Sequence, residues 1–514
     1  MSLSNNRLIA KNTIILYVQM LLGLVVGLYT GRIVLSALGV VDYGIYNVVG
    51  GVITTLTFLT SALASGSLRF ITYDLGKGDM MALKRTVSNI MTVHFTLAGI
   101  VLLLAEVFGV WFVLTQLVIP ADRMAAAMWV FQFSILSFIM SIISAPYTGM
   151  IFAHERFSIY AYFNLLTLIL KLLIVYVITV TSIDRLIFYA FLILCVDISN
   201  RLIYGYYCNR HFEEARTAFS FNKAQYKEIL SFSGWMSIGN IASVCSNQGL
   251  NILLNIFFGP MVNAAYGIAM MIEGQVMSYG VQFQVSMRPQ IIKSYAGNDL
   301  DRMKTLIFSG AKFSYFITLL IALPVMMEID QFLNWWLVEV PEWTVQFVLL
   351  ILCISLVQVM GVSMYGANVA TGDIKRYQIV QSVTMILFLP VTYLMLSSFD
   401  MSPVAPFVLL LMFNLISAVA VAVITLRKLS FSVLSYIQCV ALPAAFVTLI
   451  ALIVPVLFRI IMDVNVWSFF IICFVSLCSV LASSYYIGCN KHEKGMVRNL
   501  CVLKLNSLKK LVNG

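Results

Sequence analysis

One feature recurs from end to end of the chain: apolar stretches of twenty residues or more, parted by short polar connections. A segment of about 20 predominantly apolar residues spans a bilayer as a helix, because hydrocarbon offers no partner to an unpaired backbone group and a helix satisfies its own. Hydrophobic residues make up 61% of the sequence and charged residues only 11%, against about 25% charged in an ordinary soluble domain. A water-soluble fold cannot hide that much apolar surface.

The spans read 13–36, 44–68, 87–114, 125–149, 158–181 and 186–208, then 229–258, 264–287, 306–328, 344–370, 378–397 and 404–426, with 436–458 and 466–488 added at the end. The expected fold is all-α and polytopic, with about fourteen transmembrane helices. A six-helix bundle covers 1–208 and a polar cytoplasmic linker 209–228; a second bundle covers 229–426, two accessory helices 427–488, and a basic cytoplasmic tail 489–514. Lysine and arginine crowd one side of the short loops, while the other keeps Arg32, Arg123, Arg185 and Arg459. Both termini are therefore expected on the cytoplasmic side. The first span lacks a small-x-small cleavage site and reads as a retained helix.

An internal repeat relates the bundles. Ser67, Arg69, Gly76, Asp79 and Lys84 parallel Ser286, Arg288, Gly297, Asp299 and Lys304; Gly39 and Tyr43-Gly44-Ile45 parallel Gly259 and Tyr266-Gly267-Ile268; Tyr147, Ala153 and Arg156 parallel Tyr365, Ala370 and Arg376. Two six-helix units share one orientation, so the repeat implies a pseudo-twofold axis along the membrane normal, with a path between the halves.

The net charge of +10 comes from loop residues that form no stripe interleaved with aromatics, so nucleic acid is not an expected partner. Nine cysteines lie scattered without a C-x-x-C pair, and four histidines stand far apart; neither suggests a metal site. No Gly-Lys-Ser/Thr phosphate loop is present, so neither ATP hydrolysis nor other enzyme chemistry is expected.

Three stretches carry a family likeness: Arg32-Ile-Val-Leu-Ser-Ala-Leu-Gly-Val-Val-Asp-Tyr-Gly-Ile-Tyr46; Asn251-Ile-Leu-Leu-Asn255 with Phe258-Gly259-Pro260 and Asn263-Ala-Ala265; and Arg288-Pro289-Gln290 through Tyr295. Together with Ala370-Thr371-Gly372-Asp373, they resemble the polysaccharide transporter branch of the multidrug/oligosaccharidyl-lipid/polysaccharide (MOP) exporter superfamily, which includes O-antigen and capsule-unit flippases. The resemblance implies paired bundles like those of the multidrug and toxin extrusion (MATE) transporters. It also implies alternating-access export of undecaprenyl-diphosphate-linked oligosaccharide across a bacterial inner membrane. The implied partners are that substrate, membrane lipids and other glycan-assembly proteins. The alternative within the superfamily is a cation-coupled multidrug exporter, whose branch usually has twelve helices.

Charges inside spans cost about 2.5–3.5 kcal/mol each on insertion scales unless they meet water or a partner. Arg32, Arg69, Lys171, Arg201 and Arg288 are candidates to line a cationic cavity, since guanidinium forks suit a diphosphate. Interface anchoring is the competing reading for Arg32, Arg69 and Arg288. Asp197 and Arg201 stand one turn apart and would pair within their helix. Glu273, Asp197 and Glu106 are candidates for Na⁺ or H⁺ coupling. Asn240, Asn247, Gln248, Asn251 and Asn255 run along one face of the seventh span, with Gln275 and Gln282 on the eighth. Such amides should face inward, as cavity lining for sugar hydroxyls or as interhelical hydrogen bonds.

Overall fold

The computed structural model describes residues 3–495, apart from residues 55, 116, 118, 182, 217–220, 338–339, 400 and 492. Among the described residues there is no strand. The helices are α1 Leu3–Thr54, α2 Thr57–Lys77, α3 Met80–Thr115, α4 Ala121–Ala153, α5 Phe157–Val180, α6 Arg185–His211, α7 Lys223–Phe258 and α8 Pro260–Ala296. They continue with α9 Leu300–Trp336, α10 Thr344–Thr371, α11 Lys375–Ser398, α12 Ala405–Lys428, α13 Val433–Ile461 and α14 Val466–Gly488. Eleven of these, α3 to α7 and α9 to α14, are each long and apolar enough to cross a membrane. The chain is a multi-pass, all-α membrane protein.

Hydropathy places the helices but not their lengths. The stretch 69–86, expected to connect spans, is helical except around residues 78–79, and α8 and α9 together extend through 260–336 with a break of three residues. At about 1.5 Å per residue, the 37 residues of α9 reach about 55 Å, well past a hydrocarbon core of about 30 Å. Polar helix ends thus project from the face that carries the α2–α3 and α8–α9 loops, here called the basic face. Helix α1 is really two pieces, 3–38 and 40–54, broken at Gly39 (φ 77°, ψ 170°).

Backbone geometry makes the internal repeat concrete. Gly259, between α7 and α8, has φ 81° and ψ −176°, the conformation of Gly39, in a region open essentially to glycine alone. Asp79 caps the start of α3 and Asp299 that of α9 through their carboxylates. Each follows a left-handed residue, Gly78 (φ 74°) or Asn298 (φ 56°). Glu155 (φ 58°) ends the fourth helix as Gly372 (φ 79°) ends the tenth. These matched positions relate an N-lobe, α1–α6, to a C-lobe, α7–α12. Helices α13 and α14 pack on α9, burying Phe316, Leu319, Val447, Ala451 and Val480 together.

On the face opposite the basic one, Arg123 ties the N-lobe together. Its Nε and one terminal nitrogen donate to Asp42 at 2.8 and 2.6 Å, and its other terminal nitrogen donates to Asp184 at 2.5 Å. Those hydrogen bonds hold the Asp184 carboxyl below the usual carboxylate range. Arg123→Ala should lower stability by about 1–2 kcal/mol, less than a fully buried pair would because all three groups are partly wet. A lowered folded-state pKa stabilises above the unfolded value of about 3.9 and is lost as pH falls through the folded value. The deficit in thermal half-life of the detergent-solubilised variant should therefore hold constant from neutral pH to about 5 and shrink only in stronger acid.

Candidate functional site

Among the described residues, the lobes are joined toward the basic face and at mid-helix. Tyr17 of α1 donates to the carbonyl of Tyr279 at 2.7 Å, and Thr13 bonds Ser286 at 2.9 Å. Asn240 of α7 donates to the Phe58 carbonyl at 3.1 Å and to Ser61 at 2.8 Å, both in α2. Farther along α7, Asn247, Gln248 and Asn255 are exposed and Asn251 is half-buried. On α8, Gln275 is exposed and Gln282 half-buried, whereas Gln284 and Ser286, nearer the basic face, are buried. The amide row thus starts as a contact between lobes and continues at exposed or half-buried positions.

Each lobe holds a cavity. That of the C-lobe has a volume of about 460 Å³ and is formed by α7, α8, α10, α11 and α12. Its wall combines Arg288 and Glu273 of α8 with Asn247, Gln358, Gln381 and Asn414, and with the hydroxyls of Ser355, Thr384 and Ser417. Gln358 donates to Asn414 at 2.9 Å, and the Ser355 hydroxyl donates to Glu273 at 3.3 Å. Arg288 has no carboxylate partner among the described residues; its guanidinium lies over the Tyr365 ring, 5.1 Å from the centroid. The N-lobe cavity, about 350 Å³, is lined more by apolar and aromatic groups: Tyr46, Phe133, Phe138 and Ile193, with Ser134 and Ser137.

Beside the N-lobe cavity, Asp197 of α6 has Ser137 of α4 and Lys171 of α5 as polar neighbours, with no ion pair to Lys171 within 4 Å among the described residues. Lys171 is exposed, and helical geometry tells to what. The outward stripe of α5 runs through Tyr162, Leu166, Ile169, Leu173 and Tyr176, all exposed. At about 100° per residue, Lys171 points about 180° from that stripe, on the side of the buried Ile174 and Ile178. The exposed Lys171 thus points away from the outward stripe of its helix, although it lines neither cavity.

Arg201 turns away from Asp197. It donates to the Tyr147 hydroxyl at 3.1 Å and lies over that ring at 4.3 Å. No Asp197–Arg201 ion pair forms among the described residues; Arg201 is engaged by Tyr147 of α4 instead. Tyr147 and Tyr365 are the repeat-related tyrosines, so each lobe stacks one arginine on the same position: from α6 in the N-lobe, from α8 in the C-lobe. Repeat spacing marked the tyrosines, but nothing local marked them as arginine platforms. Gln358, Gln381 and Asn414 also went unmarked, as single amides in apolar helices.

The cationic candidates do not share one cavity. Arg69 is 7% exposed, lies over Phe70, Tyr73 and Phe232, and lines neither cavity described above. Glu228 of the other lobe approaches it at 3.6 Å. The side chain of Arg32 lies outside the described residues. Glu106 sits in a π-helical turn of α3 and accepts from Gln132 of α4 at 3.1 Å.

No family model and no curated protein matches the chain. Solved structures do. An outward-facing multidrug resistance MATE family transporter of the MOP superfamily superposes with a TM-score of 0.72 at 12% identity, covering 83% of this chain and 96% of that one. A MATE in the straight conformation gives a TM-score of 0.73 at 13% identity with the same coverage. A MOP superfamily transporter from Pyrococcus furiosus, described as having a binding pocket of reverse polarity, gives 0.71 at 13%, again with 83% and 96% covered. The two lobes of this chain therefore have the fold of the MATE transporters, with α13 and α14 as additional helices beside it.

Proposed function

We propose that the chain exports an anionic, lipid-linked oligosaccharide, of the kind carried on undecaprenyl diphosphate, across a bacterial inner membrane by alternating access. The observation that carries this reading is Arg288: a guanidinium without a carboxylate partner among the described residues, presented on Tyr365 in a cavity walled by amides and hydroxyls. The free fork suits a phosphate oxygen pair, and the amides suit sugar hydroxyls. Arg201 and Lys171 supply further positive charge from the N-lobe, and the prenyl tail stays in lipid. In this reading the basic face and both termini are cytoplasmic, and glycan-assembly proteins hand over the cargo.

A second reading, a cation-coupled multidrug exporter, is favoured by Glu273. A carboxylate held by one serine in a half-open cavity can bind H⁺, Na⁺ or a cationic drug, and Asp197 offers a comparable group in the N-lobe.

One comparison separates the two. A charged hydrogen bond is worth about 1.5–3 kcal/mol, so Arg288→Ala should cut glycan export by about 10- to 100-fold, with lipid-linked sugar accumulating and membrane abundance unchanged. Arg288→Lys should retain part of the activity as a point charge. Full export in Arg288→Ala would remove the phosphate role. Drug resistance from the parent chain, with surface glycan intact after deletion, would favour the second reading.

A further inference from the structure

We infer that the α4–α5 and α10–α11 loops form a two-part latch that holds the basic face closed, with the ion pair Glu155–Lys293 as its release point. The inference rests on the alternating-access part of the reading above and is independent of the cargo.

The first part is ionic. Glu155 ends the fourth helix in the left-handed region, φ 58°, where a residue with a side chain is uncommon and strained. Hydrogen bonds from Glu155 N to Phe152 O and from Arg156 N to Ile151 O, both 2.9 Å, hold it there. In that conformation the carboxylate crosses to α8 of the other lobe. It accepts from Gln290 at 2.6 Å and from Lys293 at 2.6 Å, and Gln290 accepts in turn from Arg302 at 2.5 Å. The loop is braced from behind: His154 stacks on Phe212 with centroids 4.1 Å apart and bonds Glu214 at 2.6 Å. Beside the pair, α2 and α8 touch so closely that a Cβ on Gly76 would lie 3.0 Å from that of Ala296.

The second part sits at the repeat-related position. Gly372, φ 79°, lies directly under the Arg69 guanidinium of α2, where a Cβ would collide. Its neighbour Asp373 pairs with Lys428 of its own lobe at 3.2 Å, so this loop supplies fit rather than charge across the seam. Each loop thus docks on the second helix of the opposite lobe. Separating the lobes at this face strips Glu155 of both Lys293 and Gln290 in the same step, which makes it the point where the latch lets go.

The test reads closure without any substrate. A cysteine pair at Gly76 and Ala296 should bridge under mild oxidation when the face is closed, the bridge being identified by peptide mapping. In the full-length chain, Glu155→Gln should lower the bridged fraction at least threefold. The exchanged pair Glu155→Lys with Lys293→Glu should restore it, which a purely local folding role would not do. Should Glu155→Gln fail to reach the membrane, Lys293→Gln, which leaves the strained residue in place, is read the same way. Bridging at the parental level in the variant that is read overturns the latch. Loss of export in Arg288→Ala with unaltered bridging separates failure of the cargo reading from failure of this one.

Discussion

Replacing Lys312 by methionine should destabilise the protein by about 3–5 kcal/mol, the cost of stranding a buried carboxylate. Lys312 of α9 is 4% exposed and Glu493, just beyond α14, 7%, with Nζ and Oε2 2.6 Å apart. Glu493 is also tied locally, since its carboxylate accepts from the Asn490 backbone at 2.8 Å and its own N–H donates to the Asn490 side chain at 2.8 Å. Removing the lysine therefore leaves a charge that cannot swing out to water without unwinding the segment that holds it. Adding Glu493→Leu should recover most of the loss, because a matched apolar pair is often as stable as a buried ion pair; the broken local cap should keep recovery incomplete. The temperature at which detergent-solubilised protein loses half its monodisperse fraction measures both. A Lys312→Met variant as stable as the parent would mean that the pair is not closed as described.

The second large effect concerns the two repeat-related glycines. Nothing lies within 4 Å of where a Cβ would stand on Gly39 or Gly259, so alanine meets no steric neighbour at either site. Its cost is that of the backbone alone, a φ near +80° with extended ψ, about 1–3 kcal/mol per site. Gly39→Ala and Gly259→Ala should each lower the same half-loss temperature, and the double variant should show close to the sum, because the sites are in different lobes. Gly234→Ala on α7, equally open but helical, should change stability little or raise it. Equal behaviour of all three alanines would show that Gly39 and Gly259 do not hold this conformation.

How much of the site was legible in the sequence can be judged from α7 and α5. The amide row from Asn240 to Asn255 stood out because five amides at helical spacing cannot all face lipid; Asn240 bonds the other lobe and Asn247 lines the C-lobe cavity. Lys171 stood out for the same reason and points away from the outward stripe of its helix. The partner of Arg201 did not. Sequence spacing suggested Asp197–Arg201, one turn apart, yet Tyr147 on a neighbouring helix takes the arginine. Arg69 and Arg288 occupy equivalent positions and read alike in sequence; one is sealed in the closed seam, the other lines an open cavity.

The solvent of each segment is written residue by residue, and with it the helices, the repeat that relates the lobes and the polar faces that must avoid lipid. These follow from single residues and their spacing, since hydrocarbon penalises every unpaired polar group regardless of what lies nearby. Which polar group meets which, where cavities remain and which contacts close the basic face are settled by the packing of distant helices. Those outcomes depend on pairs of groups brought together from distant parts of the chain, and on a balance between lobes in which repeat-related residues, chemically alike, fall into different surroundings.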